Sequence, residues 1–246
     1  MLTNGLRLSR GHQRGLSIVE LLVGVAVGLF LVGGATKLFA DYMVSNKRLL
    51  VETRVNQDLR AAADIVARDV RRAGYWHNAT AGVWGTGSGA LTPNPHTTGA
   101  GAVSSTATSV SYSYARASGG AVDSLDASEY AGFRQVLING INVLQMQDGQ
   151  GNWQALTDPA TVNVIAFSVT PTSPALVNDL SSYCGCLTRL TCTTASIAAT
   201  GTPPVLTIPS FAIVLTGQAT TDASIQRTIN HNVRVRNAAL SGTCPA

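Results

Sequence analysis

Arg14-Gly15-Leu16-Ser17-Ile18-Val19-Glu20-Leu21-Leu22-Val23 opens a run that carries no further charge until Lys37. Leu21 to Thr36 is mostly Leu, Val, Gly and Ala. With Leu16, Ile18 and Val19 in front, the run approaches the roughly 20 apolar residues needed to cross a bilayer. Arg7, Arg10 and Arg14 lie upstream of it, so the positive-inside rule keeps that end in the cytoplasm. Glu20 sits inside the run, where a carboxylate costs about 2.5–3.5 kcal/mol on insertion scales. An ordinary secretory signal peptide has no use for that cost. Its cleavage site would follow the run, among the small residues Gly33, Gly34 and Ala35.

The apolar run continues into a helical pattern, with no proline before Pro93. Val55, Leu59, Ala62, Val66, Val70 and Ala73 recur at spacings of three and four, one stripe on a helix. Arg60, Asp64 and Arg68 follow at spacings of four on other faces, where they can form pairs one turn apart. Gly74, just after Arg71 and Arg72, is a natural stop, and the two arginines suit the negative end of the helix. A helix over residues 16–73 would be about 87 Å long. Its first half suits lipid all round, its second half a one-sided contact with a folded domain.

Residues 14–23 resemble the prepilin processing motif of type IV pilins and type II secretion pseudopilins. The resemblance implies cleavage by the prepilin peptidase after Gly15, methylation of the new N-terminal residue Leu16, and a role in subunit assembly for Glu20, which becomes the fifth residue of the mature chain. The family more often has Phe where this chain has Leu16. In a bilayer, the Glu20 carboxylate would seek a cation, and the free N-terminal amine of a neighbouring subunit is one. Gly24 and Gly28 form a GxxxG step that permits close helix approach. Where major pilins often carry a kinking proline, this chain has Gly33, Gly34 and Lys37.

The body that follows reads as an α+β fold, a long N-terminal helix packed on an antiparallel β-sheet. The expected division is a basic leader over residues 1–15, the helix over 16–74 and a globular β domain over 75–246. Residues 79–128, dominated by Gly, Ala, Ser and Thr, form a loop-rich insertion with one strand at Ser109 to Tyr114. Gln135 to Met146 is apolar, with Asn139-Gly140 as a bend or bulge, and Asp148-Gly149 marks a turn. Val162 to Thr170 reads as a strand with Ile165, Phe167 and Val169 on one face; Phe211, Ile213 and Leu215 alternate in the next. In the last, Ile229, His231, Val233 and Val235 oppose Asn232, Arg234 and Arg236. Four strands of this kind are expected in one sheet, its apolar face covered by the helix stripe.

Lys+Arg number 17 against 13 acids; without Arg7, Arg10 and Arg14 the balance is 14 against 13, too even for the basic surface that nucleic-acid binding needs. Cys184, Cys186, Cys192 and Cys244 are disulfide candidates in a chain that leaves the cytoplasm. Two pairings stay open: 184–192 with 186–244, or 186–192 with 184–244. Their spacing departs from the paired C-x2-4-C of a zinc site. His12, His77, His96 and His231 stand far apart with no ligand spacing, and His231 on an alternating strand reads as a packed or hydrogen-bonded residue. Gly85-Thr86-Gly87-Ser88-Gly89-Ala90 fits a dinucleotide fingerprint only nominally, with no strand–turn–helix around it. Asp123, Asp126 and Glu129 read as a solvated loop rather than a cation site. No cofactor or metal is expected, nor a catalytic residue.

Arg68-Asp69-Val70-Arg71-Arg72-Ala73-Gly74-Tyr75-Trp76 and Asn232-Val233-Arg234-Val235-Arg236-Asn237 look like the PilW-type minor pilins. That resemblance implies a non-enzymatic subunit that initiates or caps a type IV pilus, with other minor pilins, the major pilin and an adhesin as partners. It would sit in the inner membrane in a single pass, leader in the cytoplasm and β domain in the periplasm, and then at the pilus tip. A type II secretion pseudopilin is the near alternative, and a signal-anchored periplasmic enzyme the distant one.

Overall fold

The computed structural model describes residue 15 and residues 17–82, 92–116, 125–172, 175–180 and 205–242. Leu16, the leader before Gly15, all four cysteines, Asp123 and the Gly85–Ala90 stretch lie outside the described residues. The chain divides into two compact units, Met1–Leu50 and Val51–Ala246.

One unbroken helix, α1, runs Ile18–Val70, and Gly33 and Gly34 do not interrupt it. Its first hydrogen bond runs from the Leu21 N–H to the Ser17 carbonyl. Lys37, Asp41, Lys47 and Arg48 bring charge onto the later part of the helix within the first unit, but from Ile18 to Thr36 it is apolar on every side apart from Glu20, and its large apolar residues are exposed, Ile18 at 80% and Phe30 at 81%. A helix apolar on every side has lipid or other helices as its natural surroundings. The hydroxyl of Thr36 is satisfied inside the helix by the Val32 carbonyl at 2.7 Å, as an apolar medium requires. By length and composition, α1 is the one helix among the described residues able to cross a membrane.

The second unit begins where the stripe begins. Val55, Leu59, Ala62, Ala63, Val66, Ala67 and Val70 are buried, all on one side of α1. The fold is α+β, with this helix on antiparallel sheets, but among the described residues the strands form three sheets rather than one. The first is a five-stranded meander in chain order: β1 (Ser104–Ser105), β2 (Ser109–Ser113), β3 (Tyr130–Ile138), β4 (Ile141–Gln147) and β5 (Trp153–Ala155). The second has order β10-β9-β6, from β6 (Val162–Pro171), β9 (Ser210–Ala219) and β10 (Gln226–Arg234). The third, order β11-β8-β7, combines β7 (Leu176–Asp179), β8 (Val205–Ile208) and β11 (Ala239–Ser241). The helix stripe, Tyr112 and Phe133 of the first sheet, and Phe167, Ile213, Leu215 and Val233 of the second join in one core.

Three strand expectations are corrected. Asn139-Gly140 is not a bend inside a strand but the two-residue turn of the β3–β4 hairpin. Both residues have positive φ, 51° and 82°, which is the turn matching the twist of paired strands. Ile165 does not share a face with Phe167 and Val169. A β-bulge between Val164 and Ala166 leaves Ile165 38% exposed while Val162, Val164, Phe167 and Val169 all face the core. The single sheet is broken because β4 pairs with β5, not with β6. The two sheets are joined instead by side chains: Gln135 Nε2 donates to the Val164 carbonyl at 2.8 Å, and the Asn142 N–H to Asn163 Oδ1 at 2.9 Å.

The stretch read as a loop-rich insertion is anchored where it is described. His96 is 3% exposed, and a Cβ on Gly101 would lie 2.1 Å from the Pro95 carbonyl oxygen, so the backbone there is closely packed. Leu59, fully buried, lies so near Gly217 that a Cβ on the glycine would meet its Cδ2 at 2.8 Å. Leu59→Ala is expected to cost about 3 kcal/mol by emptying this contact, read as a lowered midpoint in chemical unfolding of the full chain in detergent.

Candidate functional site: the two ends of the long helix

At its C-terminal end α1 must find donors for carbonyls that have none within the helix. The last turn first tightens: the Arg72 N–H bonds the Asp69 carbonyl at 2.9 Å and the Ala73 N–H the Val70 carbonyl at 3.1 Å. Gly74, at φ +72°, then takes the chain out of the helix. The carbonyls that follow are closed from outside. Arg71 O accepts from the Arg236 N–H at 3.1 Å, and Arg72 O and Ala73 O from Asn237 Nδ2 at 3.4 and 3.1 Å. Gly74 O accepts from Asn94 Nδ2 at 2.9 Å, and Tyr75 O from the Ala115 N–H at 2.8 Å. The Gly74 N–H in turn donates to the Ser113 carbonyl at 2.9 Å. Thus the two distant motifs, residues 68–76 and 232–237, meet at one clasp.

Asp69 organises the side chains of the clasp. Its Oδ2 accepts the Tyr112 hydroxyl at 2.6 Å and its Oδ1 the Tyr114 hydroxyl at 3.3 Å. Arg72 Nη1 is 3.5 Å from Oδ1, and the guanidiniums of Arg72 and Arg116 lie 4.4 and 4.8 Å from the Tyr114 ring centre. Burial first, and then the Asp69 carboxylate, push both phenols above their ordinary range, Tyr112 furthest. Both stay protonated and donate. Elsewhere on the helix Asp64 lies 3.5 Å from His231 Nε2, Arg60 bonds Asn56 Oδ1 at 3.2 Å, and Arg227 pairs with Glu52. The expected pairing of Asp64 with an arginine one turn away is replaced by this contact with β10.

Beside the clasp, His96 Nδ1 is 2.9 Å from Ser113 Oγ, and Ser113 Oγ donates to the Gly101 carbonyl at 3.0 Å. A hydroxyl has one proton, so the imidazole Nδ1–H must be the donor to Ser113. His96 Nε2 faces Glu129 Oε2 at 3.9 Å, and that carboxylate accepts the Asp126 N–H at 3.1 Å in a capping box. Serine, histidine and carboxylate invite comparison with a hydrolytic triad. However, Ser113 is 0% exposed and its proton is committed to a carbonyl, so no substrate can reach it. The trio ties residues 92–101 to β2. Asp126 and Glu129 serve this turn, and no metal-holding cluster is found among the described residues.

At the other end, Glu20 lies in the first turn of α1, exposed. Its carboxylate is where unpaired helix N–H groups favour negative charge. Gly15 is exposed, and a Cβ on Gly15, Gly24 or Gly28 would meet nothing, so each leaves open surface for a neighbour.

A family model described as PpdB, prepilin peptidase-dependent protein B, matches residues 48–235. The chain belongs to this family. The match begins beyond Gly15 and Glu20, and so is independent of the processing motif; it ends at Val235, inside the clasp. No curated protein and no solved structure matches the chain. The protein is thus related to type IV pili and carries a helix suited to membrane anchoring.

Sequence reasoning placed Gly74, Arg71 and the Asn237 motif, but not the closure between them. It missed Asp69 as a hub, Tyr112 and Tyr114 as its donors, and Asn94, which stands between Pro93 and Pro95. The spacing of Tyr112 and Tyr114, two apart across the end of β2, was the available signal.

Asn237→Ala removes the side-chain donor to the Ala73 carbonyl and one of two donors to the Arg72 carbonyl, which keeps the Tyr75 N–H, and is expected to cost about 1–2 kcal/mol, measured by chemical unfolding. Burial lowers the His96 pKa from 6.5, partly offset by Glu129, so the folded state takes up the proton less readily than the unfolded chain. Stability from neutral His96 is therefore present above the ordinary imidazole range and lost as pH falls through it. Thermal unfolding followed across that range should show a steeper acid-side loss in the wild type than in His96→Gln.

Proposed function

We propose that the chain is a PilW-type minor pilin that helps initiate or cap a type IV pilus. The observation that carries the reading is the coincidence of two independent features. One is a family match confined to the body, described as prepilin peptidase-dependent; the other is a processing motif in front of it. The prepilin peptidase is then its first partner, cutting after Gly15 and methylating Leu16. The mature helix holds the protein in the inner membrane, β domain in the periplasm, until it passes into a bundle of other minor pilins and the major pilin.

The mechanism is an exchange of solvents. A helix apolar all round keeps its surface out of water both in lipid and among other helices, so little hydrophobic stabilisation is lost in transfer. Glu20 sets the register, its carboxylate neutralised by the N-terminal amine of the subunit ahead. A tip position beside an adhesin follows from the PilW resemblance. The protein acts by assembly and not by catalysis. A pseudopilin of type II secretion has the same construction, and the phenotype of a deletion separates the two: loss of twitching against loss of enzyme secretion.

Mass spectrometry of the mature protein is expected to find methylated Leu16 as its first residue; a chain starting after Gly34 would show ordinary secretion instead. Glu20→Gln should leave trimming intact and reduce recovery in sheared pili by tenfold or more, about 1.4 kcal/mol. Normal incorporation would remove the assembly role of that carboxylate.

A further inference from the structure

We propose that the arginines around the C-terminal end of α1 form a docking surface for a carboxylate-rich face of a partner protein. Arg68, Arg71 and Arg72 are exposed at the end of the helix, and Arg234 and Arg236 are exposed on the solvent face of β10 and its extension. The backbone bond from Arg236 N–H to Arg71 O puts the two groups side by side, and Arg116 joins Arg72 at the Tyr114 ring. Among the described residues the carboxylates nearby are engaged. Asp69 holds two phenols and Arg72, Asp64 faces His231, Glu129 serves its capping box and His96, and Asp148, which Arg116 also attracts, accepts from Gln150 and Asn152 in its own turn.

Two compositional facts select the partner. First, all eleven cationic residues after residue 50 are Arg, since Lys37 and Lys47 are the only lysines. A planar guanidinium pairs with a carboxylate through two parallel bonds, which an ammonium cannot do. Second, residues 51–246 hold those eleven arginines against eleven acids, because of 17 cations six, and of 13 acids two, precede residue 51. A domain with no net charge exerts little long-range pull on a polyanion such as nucleic acid. Its cations act at short range, where they are concentrated. Tyr75, 45% exposed just past the helix, adds an aromatic group beside them, and Tyr with Arg is the pairing that anchors protein interfaces. The inference does not depend on the filament reading, because the surface is defined by the second unit alone.

The test uses the full chain in detergent micelles, titrated against a fluorescent glutamate-rich peptide and, separately, a duplex DNA probe. R71E/R236E is expected to weaken peptide binding at least about tenfold. R71K/R236K keeps the charge, loses the forks, and should still weaken it several-fold, whereas R60E, remote on the helix, should change nothing. The closing bond between residues 71 and 236 is backbone to backbone, so neither double variant removes it. Should charge reversal unfold the domain, the lysine pair reads the same surface. Peptide affinity unchanged in R71E/R236E, or undiminished in R71K/R236K, overturns the proposal. Tighter binding of the DNA probe than of the peptide overturns it too, by making the patch a nucleic-acid site.

Discussion

A helix that ends inside a folded domain leaves carbonyl groups with no donor of their own, and everything around residue 71 is arranged to supply donors. They come from the end of β10, from Asn94 and from the residue after Tyr114. Each unmet carbonyl in such a place would cost on the order of 1–3 kcal/mol. The clasp therefore does more than decorate a helix terminus. It fixes where the second sheet and the described part of residues 92–116 lie on the helix. Asp69 adds a buried anchor on β2, and the His96 group secures residues 92–101 behind it.

The same helix satisfies two sets of physical demands along its length. From Ile18 to Leu50 every large apolar residue is uncovered, with no apolar side set apart from the rest. From Val55 the apolar residues gather on one side, and the others carry charge. This change of pattern, rather than any break in the backbone, marks the division into two units.

The β part was legible in its pieces and less so in its assembly. Phe211, Ile213 and Leu215 alternate as strand residues do, and they are buried. The Asn-Gly step was visible as a deviation, but its role depended on whether β3 could fold back on β4, which requires positive φ at both residues. Ile165 was misplaced because period-two reading assumes an unbroken ladder, and a bulge shifts every side chain beyond it. The short strands β1, β5, β7, β8 and β11 gave no readable period, being two to four residues long.

What the sequence determined unaided was the long helix, its change from an apolar run to a one-sided stripe and the glycine that takes the chain away from it, because hydrophobic period and charge act locally along a chain. The tertiary structure alone decided that residues 68–76 and 232–237 meet, that Asp69 is the hub, and that the sheet divides. Those outcomes depend on hydrogen bonds between residues up to 165 positions apart. No local period encodes such a pairing; it is chosen when buried carbonyls and hydroxyls compete for the few donors that packing brings within reach.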